Sequence, residues 1–250
     1  MTFGSREVNW NAINHAYGPA SDVPTLIERV RADIPDIDAW HDLWSCLCHQ
    51  GTVYAASYAA LPLLLDVAET SPAAGRSDAL ILMAAIITAD DLHDVERPPR
   101  ETMDSMAQAA ARLTDTCLQA MAGDTVTFLY LLEAAAAFDG DLIWGRNLQY
   151  LSDGAYDGQC PICSQALHFA VGERYGFFVS AQEWTTPPEA RVAIQPADPA
   201  RLAGRGAWLH DRADRHGQAA IATWITHLFG TTTCPICHQP FEVSSALSLH

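Results

Sequence analysis

The tetrapeptide Cys-Pro-Ile-Cys occurs twice in this chain, at Cys160–Cys163 and at Cys234–Cys237. A Cys-x-x-Cys turn aims two sulfurs at one point, and two such turns supply the four thiolates of a closed tetrahedral zinc site. The chain between the turns must then fold back on itself, so the repeat constrains topology as well as chemistry. Cys160, Cys163, Cys234 and Cys237 are the predicted ligands of one structural zinc per chain. Pro161 and Pro235 fix φ just after the first cysteine of each turn. His168 and His238 lie close enough in sequence to replace a cysteine, but four thiolates make that unnecessary.

The chain has seven cysteines, an odd number, four of them in the paired turns. That usage favours a reducing cytoplasm and metal binding over disulfides. Cys-Pro-x-Cys also resembles a glutaredoxin-type motif, which leaves a thiol–disulfide enzyme as an alternative; metal explains the duplication better. Residues 1–7 lack a basic stretch followed by an apolar one, so no signal peptide is expected. No apolar run reaches the length of a membrane span.

The formal net charge is -16 over 250 residues. Such a balance disfavours a duplex nucleic-acid partner, whose phosphates call for Lys and Arg, and suits a basic one. All 14 basic residues are arginine. The absence of lysine excludes Schiff-base chemistry and a P-loop.

The first 140 residues read as helical. Asp22 is placed to cap a helix over 23–32, with Leu26, Ile27 and Val30 as its apolar stripe. A second helix over 36–48 is expected to bury Ile37, Trp40, Leu43, Trp44 and Leu47. Further helices are expected over 53–69, bent or broken by Pro62, and over 78–89, 101–122 and 125–138. Short connections predict antiparallel pairs stacked side by side. Beyond residue 150 the pattern turns to strands, 167–171 and 175–179, joined by a hairpin turn at Gly172-Glu173-Arg174. The stretch 185–199 is proline-rich loop, helix returns over 199–229 with breaks near Gly204 and Gly206, and a short helix runs from Val243 to the end. Domains 1–150 and 151–250 follow.

The segments Ala16-Tyr17-Gly18-Pro19-Ala20-Ser21-Asp22-Val23-Pro24, His49-Gln50-Gly51-Thr52-Val53-Tyr54 and Ala59-Ala60-Leu61-Pro62-Leu63-Leu64 resemble the start of an actinobacterial-type group of bacterial HEAT-repeat-like proteins. Some of that group have been linked to immunity against polymorphic toxins. The resemblance covers residues 8–140 and implies a helix-lined binding face. The irregular loop at 90–100 and the C-terminal cysteine turns depart from a regular array and point to about three helix pairs.

Three other groups stand out in the sequence. The loop Asp90, Asp91, Asp94 and Glu96 with His93 is an acidic solvated loop or a patch for a basic partner. At the turn His49–Tyr54, Gly51 is placed to end the second helix and Thr52 to cap the third. His49, Gln50 and Tyr54 form either a buried hydrogen-bond set or part of a binding groove. Cys46, Cys48 and Cys117 read as small core residues. No hydrolase, zincin or dinucleotide motif accompanies them.

The sequence therefore predicts a mainly α protein: a short HEAT-like array of antiparallel helix pairs, then a small β zinc-ribbon-like module with a docked helix over 206–229. The expected function is a non-enzymatic cytoplasmic protein-binding scaffold, in the direction of toxin immunity. The alternative is a nucleic-acid-associated or regulatory zinc-ribbon protein, with Arg174, Arg191, Arg201, Arg205, Arg212 and Arg215 gathered into a local basic patch.

Overall fold

The apolar spacing of the first 140 residues produces six helices in a computed structural model, which describes residues 8–32, 36–71, 73–120, 124–182 and 187–247. A two-strand hairpin, β1 (Asn14–His15) and β2 (Gly18–Pro19), precedes α1 (Val23–Val30) and α2 (Ile37–Leu47). Then come β3 (Thr52–Val53), α3 (Ala55–Thr70), α4 (Ala73–Thr88), β4 (Asp91–Leu92), α5 (Arg100–Ala120) and α6 (Thr125–Phe138). Two short helices follow, α7 (Trp144–Asn147) and α8 (Tyr150–Asp153). The remainder holds β5 (Ala155–Gln159), β6 (Ala166–Gly172), β7 (Gly176–Ser180), β8 (Val192–Ala193), α9 (Gly204–Arg215), α10 (Ala219–Leu228), β9 (Thr231–Thr233) and β10 (Pro240–Glu242). The protein is mainly helical, and no helix among the described residues is long and apolar enough to cross a membrane.

The chain divides into two compact units, residues 1–120 with 133–146, and residues 121–132 with 147–250. A division by sequence at 150 takes no account of 121–132, which group with the C-terminal unit.

In the first unit, consecutive helices pack in pairs, α1 with α2 and α3 with α4, and α5 lies against both α3 and α4. The α1 stripe is buried as its spacing predicts, at Val23, Leu26, Ile27 and Val30. In α2 the expectation fails for Ile37, which is 79% exposed at the first helical position. Asp36 caps that helix instead, accepting the Ala39 N–H at 3.0 Å. α3 runs unbroken through Pro62, whose ring lies on the exposed side. α4 begins five residues before the expected start and is apolar around most of its circumference, with Leu80, Leu82, Met83 and Ile86 fully buried. Such a helix belongs at the centre of a helical core.

Two arginines finish these helices. The Arg76 guanidinium donates to the carbonyl of Ala68 at 2.8 Å near the end of α3. Arg97 donates to the carbonyl of Ile87 at 2.7 Å and also to that of Ala89, at the end of α4. Cations there satisfy carbonyls that have no partner within the helix and complement its dipole. α6 ends in a Schellman arrangement, Asp141 N–H to Ala136 and Gly140 N–H to Ala137, with Gly140 at φ +80°.

In the second unit, β5 to β8 form an antiparallel sheet in sequence order. The β6–β7 hairpin pairs Val171 with Phe177 and closes on Gly176 at φ +90°. α10 packs on β6 and on α9. The helix expected over 199–229 is thus two helices. The expected break near Gly204 is present, where the 3-10 turn Pro199–Arg201 gives way to α9, and a further break falls at Gly217 (φ +71°), where a second Schellman arrangement joins Gln218 N–H to the Ala213 carbonyl. Gly206 is needed for another reason: a Cβ there would lie 2.9 Å from the Phe229 ring. The helix expected from Val243 is a single 3-10 turn, Val243–Ser245, within the described residues.

His227 of α10 lies flat against Phe177 of β7, ring centroids 3.6 Å apart, and its Nδ1–H donates to the Thr223 carbonyl at 2.9 Å. Burial holds its pKa below the ordinary 6.5, against the opposing pull of that carbonyl. An unfolded chain takes up the proton at the ordinary value and the folded one only at lower pH. The stability that His227 contributes is therefore complete above pH 6.5 and is lost as pH falls through and below that value. Thermal melts from pH 7.5 to 5 should show a falling midpoint, with a shallower slope in His227→Gln. Equal slopes in both proteins would refute this account.

Candidate metal centre

Each Cys-Pro-Ile-Cys turn sits at the tip of an antiparallel hairpin, the first between β5 and β6 and the second between β9 and β10. The turns repeat one another bond for bond. The Cys160 N–H donates to the Gln165 carbonyl and the Ser164 N–H to the Cys160 carbonyl, both at 2.9 Å. In the second turn the Cys234 N–H donates to Gln239 and the His238 N–H to Cys234, both at 3.0 Å. Ser164 and His238, each following the second cysteine, take φ of +58° and +57°. Left-handed backbone at a non-glycine residue is uncommon, and it occurs at the same place in both turns.

The two tips bring the sulfurs together. The four Sγ atoms lie within 4.8 Å of one another. Cys160 and Cys237 are 3.8 Å apart, and Cys163 and Cys234 are 3.9 Å apart. Four thiolates each ~2.3 Å from a central ion lie about 3.8 Å apart along a tetrahedral edge, so this donor set is the right size for one metal ion. The backbone N–H groups of Ile236 and Cys237 point at the Cys234 sulfur at 3.4 and 3.5 Å, an arrangement that favours thiolate. Burial pushes the Cys160 thiol up, but the N–H groups of Cys163 and Ile162 and the neighbouring sulfurs outweigh it and bring it down to about 7. Cys160 and Cys234 are buried, Cys237 is half-buried and Cys163 is exposed, so the centre opens on one side.

Contacts away from the sulfurs also hold the hairpins together. The Gln159 N–H donates to the Ala246 carbonyl at 2.7 Å, and Gly158 bridges to Leu247. Phe169 of β6 meets Phe241 of β10 edge to face, centroids 6.2 Å apart. The two histidines near the turns are not drawn in. His168 pairs across the strands with Asp157 at 2.7 Å, and His238 is exposed.

The first unit holds a second ligand-type cluster that sequence reading missed, His15, Asp22 and Cys46. Its geometry is that of a structural hydrogen-bond set. His15 Nδ1 accepts the Tyr17 N–H at 3.0 Å, so the proton is on Nε2 and points at Asp22, also 3.0 Å away. Burial and the nearby Asp22 and Asp42 push the Cys46 thiol up to about 11. A protonated thiol and an occupied imidazole are poor ligands. Asp22 therefore does not cap α1 with its side chain, as expected; the carboxylate turns to His15. The only sequence signal was the short Asn14–Asp22 stretch itself, whose hairpin places His15 near Asp22.

The His49–Tyr54 expectations need correction. Gln50 (φ +51°) and Gly51 (φ +86°) form a tight turn closed by the Thr52 N–H to His49 carbonyl bond at 3.0 Å. Thr52 then enters β3, which pairs in parallel with β4, and its hydroxyl donates to Asp91. It does not cap α3. Ser57 serves that end of the helix, accepting the Tyr54 N–H at 2.8 Å and donating to the Leu47 carbonyl at 2.6 Å. His49, Gln50 and Tyr54 do not form one set. His49 meets the Tyr17 hydroxyl at 3.2 Å, Gln50 is exposed, and Tyr54 packs edge-on against His93, centroids 5.6 Å apart. Tyr54, His93, His15 and Asp94 line a cleft of about 370 Å³.

The four acidic residues of the 90–96 loop also part company. Asp90 pairs with Arg146 at 2.6 Å and Asp91 accepts from Thr52, while Asp94 and Glu96 face solvent. Among the other cysteines, Cys46 and Cys117 are buried, and Cys48 is half-buried with its thiol pushed up to about 11 by burial.

Comparison with known proteins returns no match: no family model, no curated protein and no solved structure matches this chain.

Gly158 fixes how closely the hairpins approach, because a Cβ there would lie 2.2 Å from the Ala246 carbonyl oxygen. Gly158→Ala is expected to destabilise the second unit by roughly 2–3 kcal/mol through overpacking against backbone. Chemical denaturation followed by tryptophan fluorescence measures the effect. A loss below about 0.5 kcal/mol, the level of a neutral surface change, would show that the hairpins are not locked at this point.

Proposed function

We propose that the four-cysteine centre binds one structural zinc ion and that the second unit is a zinc-ribbon-like module built on it. The observation that carries this reading is the convergence of two identical turns, which brings four sulfurs within 4.8 Å of one another with both pairs across the hairpins at zinc-sized separations. Four thiolates leave no open coordination position, so the metal's part is to hold the hairpins rather than to activate a ligand. Elemental analysis of protein purified without added metal should find about one zinc per chain. Cys234→Ser should release it and loosen the second unit while leaving the helices of the first intact. Iron in place of zinc, or no metal, would overturn the proposal.

We further propose that the whole chain is a non-enzymatic, cytoplasmic protein-binding scaffold whose partner is basic. The reading is supported by the distribution of charge between the units. The first carries 20 acidic residues against 8 arginines, and the second carries 10 against 6. The successive α1–α2 and α3–α4 pairs accord with a HEAT-like array, and toxin immunity is the role that the resemblance attaches to it. A solvated acidic surface speeds and steers encounter with a basic protein in a salt-dependent manner. The nucleic-acid reading loses ground, because Arg191 lies over Phe178 and both Arg205 and Arg212 lie over Trp208. Affinity capture from cells of origin should recover a basic protein at low salt and lose it at high salt. A double variant, Asp94→Arg with Glu96→Arg, should weaken capture at least several-fold. Undiminished, salt-insensitive capture would refute the electrostatic surface.

A further inference from the structure

We propose that the four-cysteine centre is a peroxide-responsive latch, in which oxidation through the open side exchanges the metal for two disulfides joining the same hairpins, Cys163–Cys234 and Cys160–Cys237. The inference rests on the zinc reading above.

Three observations carry it. First, the residues of the leading turn, from Pro161 to Ala166, are all exposed, so a small oxidant reaches Cys163 without any opening of the fold. Second, the thiol–thiol contacts join one hairpin to the other. Cys163 meets Cys234 at 3.9 Å, and Cys237 meets Cys160 at 3.8 Å. Each contact pairs a cysteine that reaches the surface (Cys163 exposed, Cys237 half-buried) with a buried one. That is the arrangement of an attacking thiolate beside its resolving partner. Third, the hairpins have tethers independent of the metal, the Gln159–Ala246 hydrogen bond and the Phe169–Phe241 contact. These keep the sulfurs opposite one another when the ion leaves.

The chemistry balances with hydrogen peroxide as oxidant. The Cys163 thiolate attacks one peroxide oxygen, the O–O bond breaks and hydroxide departs, leaving a sulfenic acid. The Cys234 thiolate attacks that sulfur, the S–S bond forms and a second hydroxide departs. Two electrons have passed from sulfur to peroxide. Two ligands are lost, and the remaining pair holds zinc too weakly to retain it. A second peroxide oxidises Cys237 and Cys160 by the same steps.

The test uses full-length protein. Zinc content is measured first by elemental analysis. Hydrogen peroxide is then titrated in while a chromogenic chelator reports free zinc, and the products are mapped by non-reducing peptide mass spectrometry. The expected result is full zinc release at about one peroxide per chain, with the Cys163–Cys234 and Cys160–Cys237 cross-links both complete at about two, and thiol reductant with zinc reverses them. A Cys46→Ser, Cys117→Ser control should behave identically. Retention of zinc in excess peroxide, disulfides confined within each Cys-x-x-Cys turn, or sulfinic acids without disulfide would each overturn the latch. Protein that carries no zinc before oxidant is added would refute the metal reading itself, a different result from zinc that resists release.

Discussion

Everything distinctive in the second unit depends on two hairpin tips meeting at their sulfurs. Thiolates repel one another, and four sulfurs all within 4.8 Å, two pairs of them at 3.8 and 3.9 Å, are a poor arrangement for four negative charges without a cation among them. The backbone moderates that cost by aiming N–H groups at the buried sulfurs, as at Cys234. It also brings the tips together by uncharged means, through the Gly158–Leu247 bridge and the two phenylalanines. The hairpins are thus held in a position that could hold a metal ion.

The first unit solves a different problem with different materials. Its core is made of alanine and branched aliphatics, and the polar groups left over at helix ends are met one by one. Arg76 and Arg97 each reach back over a helix terminus, Ser57 ties α3 to the end of α2, and Asp141 accepts the N–H groups of Ile143 and Trp144 at the start of α7. The irregular 90–100 loop belongs to this scheme. One end pairs with β3, Asp90 holds Arg146, and Arg97 returns to close α4. A chain rich in carboxylates uses several of them as internal fasteners, so formal charge overstates the acidity free to meet a partner.

The cysteine turns were legible because their information is local: four residues set the turn, and repetition shows that two turns share a purpose. The helices of the first unit were legible from periodicity, and the β6–β7 hairpin from its β-rich runs. What escaped was set by partners distant in sequence. Only the short Asn14–Asp22 hairpin stretch hints that the Asp22 carboxylate goes to His15, rather than to the helix it precedes. Nothing near Thr52 shows that Asp91, 39 residues away, draws it into a strand. Ile37 reads as core by its apolar character, yet the chain places it on the first turn, facing out. The break near Gly204 was legible, and α9 does begin there after the Pro199–Arg201 turn, but Gly206 serves to admit the Phe229 ring, and the second stop, at Gly217, was not legible.

The two halves of the sulfur tetrahedron are separated by 71 residues between Cys163 and Cys234 and by 77 between Cys160 and Cys237. Each hairpin alone supplies only two of the four thiolates. During synthesis the first tip must wait while β7, β8, α9 and α10 emerge, and no closed site exists until β9 and β10 have paired. Metal occupancy would therefore record that the chain has been made through β10 and that the two hairpins have met. A product that stops before β10, or that misregisters the hairpins, lacks that mark, and its unpaired thiolates are open to oxidation and to the wrong partners.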